Sequence, residues 1–269
     1  SIYAGNVTNY FKTSSDPLDP TVVAGVSQRI SEGVSLMNFF GHSAASNNGF
    51  EINIDDPSNW NNQGKYPMVI GNSCYNGDIY TINNSTSENF VILPNEGAIG
   101  FLSSVYVGYD TYLRNYTTEL YKQFSYKNYG KPIGYQIQKT IQTLQYPGQD
   151  VIWQSTYSQM ALHGDPMLKL NVARNPEIEI LSSDLSLGPN NINLDVDSIE
   201  LSIHIKNIGQ SINDPISVQV IRNFPGSSTD STYLYQIPEL HYDTTIIKKF
   251  PLQADISAGE NQFTVSVDI

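Results

Sequence analysis

The chain has 269 residues, a net charge of −12 at pH 7 and a charged fraction of only 15%. This length exceeds what one ordinary hydrophobic core holds, so we expect two domains. An acidic chain without a cluster of Lys or Arg is poorly suited to nucleic acid, and no apolar stretch approaches the roughly 18 residues that span a bilayer.

A helix and a strand are predicted before residue 42. Asp19-Pro20 is a typical N-cap followed by a first helical residue, and Gly33 is a typical helix terminator. Four apolar residues share one helical face between them, at Val22, Val23, Val26 and Ile30. The apolar run 34–40 then predicts a strand, and it ends at a glycine followed by His42.

A second apolar run, 66–73, leads directly to Cys74, the only cysteine. If the two runs are neighbouring parallel strands, Cys74 and His42 emerge at the same carboxyl edge of the sheet. A nearby imidazole lowers the pKa of a thiol from its ordinary value of about 8.5, so the pair is a candidate catalytic dyad. The alternative is a structural one, with Cys74 as a small buried hydrophobic residue and His42 in a loop.

Helices and a third strand follow along the chain. Residues 85–88, Ser-Thr-Ser-Glu, form a capping box that predicts a helix start, and Glu88 is interpreted as a cap and not as a catalytic acid. The apolar run 97–104 predicts a third strand, and this alternation is typical of a parallel sheet with crossover helices. Further helices are predicted at about residues 110–127, 131–145 and 150–162.

The pattern changes after the segment His163-Gly-Asp-Pro, and Asn175-Pro176 marks a domain boundary. We predict domains at 1–173 and 174–269. In the second, Ile199, Leu201, Ile203 and Ile205 alternate with polar residues, as do Phe263, Val265, Val267 and Ile269. About 95 residues with this alternation predict an immunoglobulin-like β-sandwich.

Five segments of the first domain, taken together and in order, resemble gingipain-like cysteine peptidases of the caspase-related class. They are 38–43, 66–78, 87–91, 97–104 and 163–168. The resemblance covers about residues 20–172 and implies an α/β, caspase-like, three-layer fold around a parallel sheet. Such catalytic domains carry further strands upstream, so we expect this sheet to be incomplete on its N-terminal side. The acidic residue that orients the histidine is likewise expected upstream of Ser1.

The resemblance also implies roles for individual residues. Cys74 would be the nucleophile that forms a thioester acyl-enzyme, and His42 the general acid and base. The oxyanion would be held by the backbone amides of Cys74 and Ser43. The family usually has glycine where Ser43 stands, so a position that needs φ > 0 would strain the serine.

The function implied by the resemblance is an exported or surface-associated bacterial cysteine endopeptidase with a protein or peptide substrate. A transpeptidase, or a non-catalytic adhesion, gliding-motility or secretion-system component on the same fold, is the alternative. An incomplete sheet with an exposed edge strand would favour self-association of the chain. The acidic balance favours steering of basic substrates over acidic ones.

Two remaining groups receive mainly structural interpretations. His163 is explained by an Asp-Pro turn that leads into a strand. Asp55, Asp56 and Asp78 could together supply oxygen ligands to a structural calcium ion, but no Asp-x-Asp-x-Asp-Gly loop is present. No cofactor is required by the expected chemistry.

Overall fold

The structure is a computed structural model, and it describes residues 7–12, 20–43, 56–81, 83, 85–189, 196–225, 230–252 and 254–268. The chain divides into two compact units. One is Val7–Asn171, and the other includes Val172–Ile269. The first unit combines helices with a mixed sheet, whereas the second is built mainly from antiparallel strands.

The described part of the first unit contains four strands and five α-helices. The strands are β1 (Leu36–Phe40), β2 (Met68–Asn72), β3 (Gly100–Ser104) and β4 (Met160–Gly164). The helices are α1 (Pro20–Glu32), α2 (Thr86–Ile92), α3 (Asp110–Lys122), α4 (Ile133–Leu144) and α5 (Val151–Ser158). A π-helical turn at Gln123–Lys127 continues α3. None of the helices in the described part of the chain is long and apolar enough to cross a membrane.

The sheet has the order β1-β2-β3-β4. The first three strands run parallel, with Phe40 paired to Asn72 and Met68 paired to Gly100. The predicted parallel sheet is therefore confirmed for β1, β2 and β3, and α2 provides the crossover between β2 and β3. The fourth strand, β4, runs antiparallel to β3.

The last helix of this unit is shorter than predicted. It ends at Ser158 and does not continue to residue 162, because Met160–Gly164 forms β4. A short apolar run fits a helix or a strand equally well by periodicity. The free edge of β3 decides the outcome, since its main-chain groups find partners in β4.

Local sequence signals explain several helix ends. Gly33, with φ of 101°, follows α1, and its N–H donates to the carbonyl of Arg29 at 3.0 Å. The capping box at the start of α2 is present as predicted, with the Ser85 N–H donating to the Glu88 carboxylate at 2.8 Å. Asp150 caps α5 by accepting from the N–H of Trp153. The predicted cap at Asp19 lies outside the described residues.

Helices pack on both faces of the sheet. On one face Ile30 of α1 and Phe90 of α2 join a core with Val69 and Phe101 of the strands. On the other face α3 is tied to β2, because the hydroxyl of Thr117 donates to the side chain of Asn72. The first unit is thus a three-layer α/β arrangement.

Two antiparallel sheets make up the second unit. One contains β5 (Ile178–Glu179), β6 (Leu185–Gly188), β7 (Ser198–Asn207) and β10 (Asp243–Pro251). The other contains β8 (Ile216–Asn223), β9 (Asp230–Ile237) and β11 (Gln262–Asp268). A short helix, α6 (Ala254–Ser257), was not predicted.

Both sheets contribute to one core in the second unit. Leu201, Ile203 and Ile205 of β7 are buried, as their alternation predicted. They share this core with Val218 and Val220 of β8 in the opposite sheet. The predicted repeat in β11 is only half-buried, and its last member, Ile269, lies outside the described residues.

Candidate active site

The candidate site lies at the carboxyl edge of the parallel strands. His42 stands two residues beyond Phe40, the last residue of β1, and Cys74 stands two residues beyond Asn72, the last residue of β2. Phe40 and Asn72 are register partners, and the Gly41 N–H extends the pairing by donating to the Asn72 carbonyl at 3.2 Å. The prediction that neighbouring parallel strands deliver both residues to one edge is confirmed.

The sulfur of Cys74 contacts the loop that follows β3. The N–H of Gly108 donates to Sγ at 3.4 Å, and Sγ lies 3.7 Å from the Gly108 carbonyl oxygen, to which a thiol can donate. Cys74 itself is half-buried. Three consecutive strands of the sheet therefore each contribute a group to this edge.

Gly108 has no room for a side chain. A Cβ atom there would lie 2.7 Å from the main-chain oxygen of Ser73 and 2.5 Å from Cδ1 of Leu113. A glycine is thus required at position 108 by its close approach to Ser73 and Leu113 and not by a positive φ. The sequence interpretation did not single out Gly108; its position just after the third parallel strand was the available signal.

The imidazole of His42 is exposed. The hydrogen bonds found between described residues include none that joins it to Sγ of Cys74 or to a carboxylate. Catalytic hydrogen bonds are often long or poorly aligned before substrate binds and tighten in the substrate complex. The dyad stays a prediction, while the placement of its two members is a feature of the sheet.

Tyr75, which follows Cys74, has φ of 61°. Such a backbone angle is uncommon for a bulky residue and persists only where surrounding contacts enforce it. The Tyr75 N–H donates to the Tyr106 carbonyl at 3.0 Å, and the two rings meet edge to face at 5.2 Å. Desolvation, followed by the neighbouring Tyr106, raises the pKa of Tyr75 above its ordinary value of 10.0.

A buried amide ties together the elements beneath this edge. Asn72 is 1% exposed, and its side chain donates to Asn38 of β1 at 2.7 Å while accepting from Thr117 of α3 at 2.5 Å. A buried amide with partners on both sides holds its neighbours in fixed positions. The ends of β1 and β2 are thereby fixed to each other and to α3.

The turn after Cys74 is also anchored. The Gly77 N–H donates to the Ser104 carbonyl at 3.0 Å, and the Asn76 carbonyl accepts from the Ser87 N–H at 3.2 Å. Asn76 and Ser87 are both fully buried. The turn after Cys74 is therefore held by the end of β3 and the start of α2.

Ser43 contacts Cys74 directly. Its hydroxyl donates to the carbonyl oxygen of Cys74 at 2.5 Å. Among the described residues other than glycine, only Tyr75 and Asn95 have positive φ, so the strain anticipated at Ser43 is absent. The unusual backbone angle lies after Cys74 and not after His42.

Glu88 and His163, the two other residues weighed for a catalytic role, have structural surroundings. Glu88 accepts from the hydroxyl and N–H of Ser85, as expected for a cap. His163 lies in β4, opposite Phe101, and neither ring nitrogen finds a hydrogen-bond partner in the described part of the chain. Burial lowers the pKa of His163, and the charge of Glu88 opposes that shift. The Asp-Pro turn at 165–166 follows β4 and does not lead into a strand, which corrects the sequence interpretation.

Of the three aspartates considered as calcium ligands, Asp56 and Asp78 lie in the described residues, and they make different contacts. Asp78 is 5% exposed and accepts from the hydroxyl and N–H of Thr81, and the Thr81 hydroxyl is the main cause of its lowered pKa. Asp56 accepts from Ser58 at the start of a turn. Asp55 lies outside the described residues. Within the described ranges, no three His, Cys, Asp or Glu residues come together at a metal-binding spacing. A calcium site that includes Asp55 stays a prediction.

Comparison with known proteins gives one family match. The model of peptidase family C25 matches residues 1–171. No curated protein sequence matches the chain.

Solved structures give weaker likenesses. The chain is similar to a structure described as a protease, with a TM-score of 0.48 and 13% identity over 85% of this chain and 56% of that one. It is also similar to the Arg-specific cysteine proteinase gingipain R, with a TM-score of 0.47 and 12% identity over 86% and 56%. A complex of the pro- and mature domains of RgpB from Porphyromonas gingivalis gives a TM-score of 0.46 and 12% identity over 86% and 57%. The chain thus spans just over half the length of these structures.

Proposed function

The chain belongs to peptidase family C25, the gingipain family, and on that premise we propose that it is a cysteine endopeptidase with Cys74 as nucleophile and His42 as general acid and base. One observation carries the assignment to these two residues. His42 lies two positions after Phe40, and Cys74 lies two positions after its register partner Asn72, at the carboxyl edge of neighbouring parallel strands.

Acylation uses one proton and one pair of electrons from the thiol. The thiol proton of Cys74 passes to the imidazole of His42, and the sulfur attacks the peptide carbonyl carbon. A C–S bond forms, and one electron pair of the C=O bond moves to the carbonyl oxygen, which becomes the oxyanion. When the oxyanion collapses, the C–N bond breaks, His42 returns the proton to the leaving amine, and a thioester remains on Cys74.

Deacylation repeats the steps with water. The imidazole of His42 takes a proton from water, and the oxygen attacks the thioester carbonyl. The C–S bond breaks as the second oxyanion collapses, and the proton returns to sulfur. A peptide carboxyl group is released and the thiol is restored.

Two main-chain N–H groups are proposed for the oxyanion hole, those of Cys74 and Ser43. Preorganised donors of this type commonly provide the largest stabilisation in acyl transfer. Within the described hydrogen bonds, the N–H of Cys74 has no protein acceptor, which supports its availability. The contacts that hold Cys74 on both sides, from Ser43 and Gly108, support a fixed direction for it.

The finer architecture belongs to the same proposal. Helices on both faces of a parallel sheet support a caspase-like arrangement for the first unit, and two antiparallel sheets around one core support an immunoglobulin-like sandwich for the second. Export to the bacterial cell surface rests on the resemblance to gingipain-like proteins. The unpaired side of β1 in the described sheet supports self-association of this chain, and sedimentation at increasing protein concentrations tests it.

The reaction can be tested by digesting unfolded casein in water enriched in ¹⁸O, with mass spectrometry of the products. We expect new peptides whose C-termini carry one ¹⁸O, because water attacks the thioester. Cys74→Ala is expected to abolish these products, and His42→Ala to reduce them by at least about 100-fold. Variants with unchanged circular dichroism serve as the folded controls.

Three outcomes would separate the alternatives. Products joined to an added amine without ¹⁸O would identify a transpeptidase that uses the same acyl-enzyme. Cleavage that persists in Cys74→Ala would contradict the role of Cys74 as nucleophile. No cleavage at all by the folded wild-type chain would contradict the peptidase proposal and leave the binding roles in motility, adhesion or secretion.

A further inference from the structure

The hydroxyl of Ser43 occupies a position where a parallel sheet would normally place a main-chain donor. We propose that this hydroxyl positions the oxyanion hole, by replacing the N–H of Ser43 as the donor to the Cys74 carbonyl. The Cys74 carbonyl then does not need the N–H of Ser43 as its donor. This inference rests on the proposed function and adds a role for a side chain in which this chain departs from the usual glycine of its family.

The register of the strands identifies the substitution. In a parallel ladder, acceptors two residues apart on one strand are served by donors two residues apart on the other. The N–H of Gly41 donates to the carbonyl of Asn72, so the next bond would run from the N–H of Ser43 to the carbonyl of Cys74. The bond that the structure has at that carbonyl comes from the Ser43 hydroxyl, at 2.5 Å.

The same bond restrains the peptide group between Cys74 and Tyr75. Its carbonyl accepts from the Ser43 hydroxyl, and its N–H donates to the Tyr106 carbonyl at 3.0 Å. Tyr75 has φ of 61°, a conformation that the neighbouring contacts must enforce. The loops after β1 and β3 therefore restrain the two ends of one peptide group. Ser43, in the loop after β1, binds its carbonyl oxygen.

Alanine at position 43 of this chain could not form this bond, because it has no hydroxyl. Without the hydroxyl, the Cys74 carbonyl would take the main-chain N–H of residue 43 as its donor or would lose its partner in a half-buried position. In the first case the oxyanion hole loses a donor, and in the second the turn loses a restraint. The serine avoids both results with one side-chain atom.

Two probes of Cys74 distinguish oxyanion stabilisation from simple thiol reactivity. With p-nitrophenyl acetate, the sulfur forms a C–S bond to the acetyl carbon, the carbonyl oxygen becomes an oxyanion, and p-nitrophenolate leaves. With iodoacetamide, the sulfur displaces iodide at a CH₂ carbon and no oxyanion forms. A group that serves the oxyanion hole affects the first rate more than the second.

The test compares Ser43→Ala and Ser43→Thr with wild type, in the full chain, by the ratio of acetylation rate to alkylation rate at Cys74. We expect Ser43→Ala to lower this ratio by about tenfold, and Ser43→Thr, which keeps a hydroxyl, to stay within about twofold of wild type. Ser31→Ala is the matched control, because that hydroxyl donates to the Gln28 carbonyl at 2.7 Å on α1, and it should leave the ratio unchanged.

Each result has a separate meaning. A ratio in Ser43→Ala equal to that of wild type, with wild-type acetylation well above that of free cysteine, would overturn the role of Ser43 and leave the proposed function standing. Wild-type acetylation no faster than that of free cysteine would overturn both. A fall of both rates together in Ser43→Ala, without rescue by threonine, would show a general structural effect and also overturn the inference.

Discussion

Replacing Gly108 with alanine tests how strongly the loop after β3 supports the nucleophile. The new Cβ would lie 2.7 Å from the main-chain oxygen of Ser73, whereas ordinary contact begins at 3.4 Å. The loop must therefore move by the difference, about 0.7 Å, since the obstructing atom belongs to the backbone. A movement of that size away from Cys74 would lengthen the N–H contact to Sγ from 3.4 Å to about 4.1 Å.

The lost contact sets the size of the expected effect. A hydrogen bond to a charged group contributes about 1.5–3 kcal/mol, and the lower value is appropriate for a long contact to sulfur. About 1.4 kcal/mol corresponds to a tenfold change in rate. We therefore expect Gly108→Ala to slow alkylation of Cys74 by iodoacetamide about tenfold at near-neutral pH, measured by mass spectrometry of the intact chain.

Gly134→Ala is a matched control for the strain of the substitution. Its Cβ would lie 2.6 Å from Cβ of Pro166 and 3.0 Å from the Pro166 carbonyl oxygen. Pro166 follows Gly164, which pairs with Gly100 at the start of β3, at the opposite edge of the sheet from Cys74. This variant should lose stability without a change in Cys74 reactivity. Equal alkylation rates in folded Gly108→Ala and wild type would refute the reasoning.

Three further predictions concern stability, each measured by urea unfolding of the full chain. Ser85→Ala removes the capping hydroxyl of α2 and should lower the free energy of unfolding by about 1 kcal/mol; an unchanged value would contradict the capping interpretation. The Thr81 hydroxyl lowers the pKa of Asp78 below 3.8, so the ionised Asp78 contributes fully to the free energy of unfolding above pH 3.8, and this contribution is lost as the pH falls further. Asp78→Asn should therefore lose less stability than wild type on acidification. Burial lowers the pKa of His163 below 6.5, so the unfolded chain binds the extra proton and stability falls as pH drops below 6.5; an undiminished fall in His163→Gln would exclude this cause.

The parts of the fold that the sequence predicts are those with a strong local or periodic signal. The capping box at Ser85 needs only four consecutive residues. The alternation in β7 needs only one buried face. The shared edge of His42 and Cys74 follows from two apolar runs of similar length, once the strands are assumed to be neighbours.

The parts that escaped prediction depend on tertiary partners. Whether residues 160–164 form helix or strand is decided by the free edge of β3, which local periodicity does not record. Gly108 is required by close approach to Ser73, which is distant in sequence. The role of the Ser43 hydroxyl depends on the register between β1 and β2. The presence of serine at position 43 does not by itself predict a hydrogen bond to the Cys74 carbonyl.

The central claim, that His42 and Cys74 act together, is tested most directly by alkylation of Cys74 with iodoacetamide across a pH series in wild type and His42→Ala. Since Cys74 is the only cysteine, every modified chain reports on it. We expect wild type to react at least about tenfold faster than His42→Ala at about pH 6, where a free thiol is almost fully protonated. Equal rates in the two proteins, both matching free cysteine, would contradict the account.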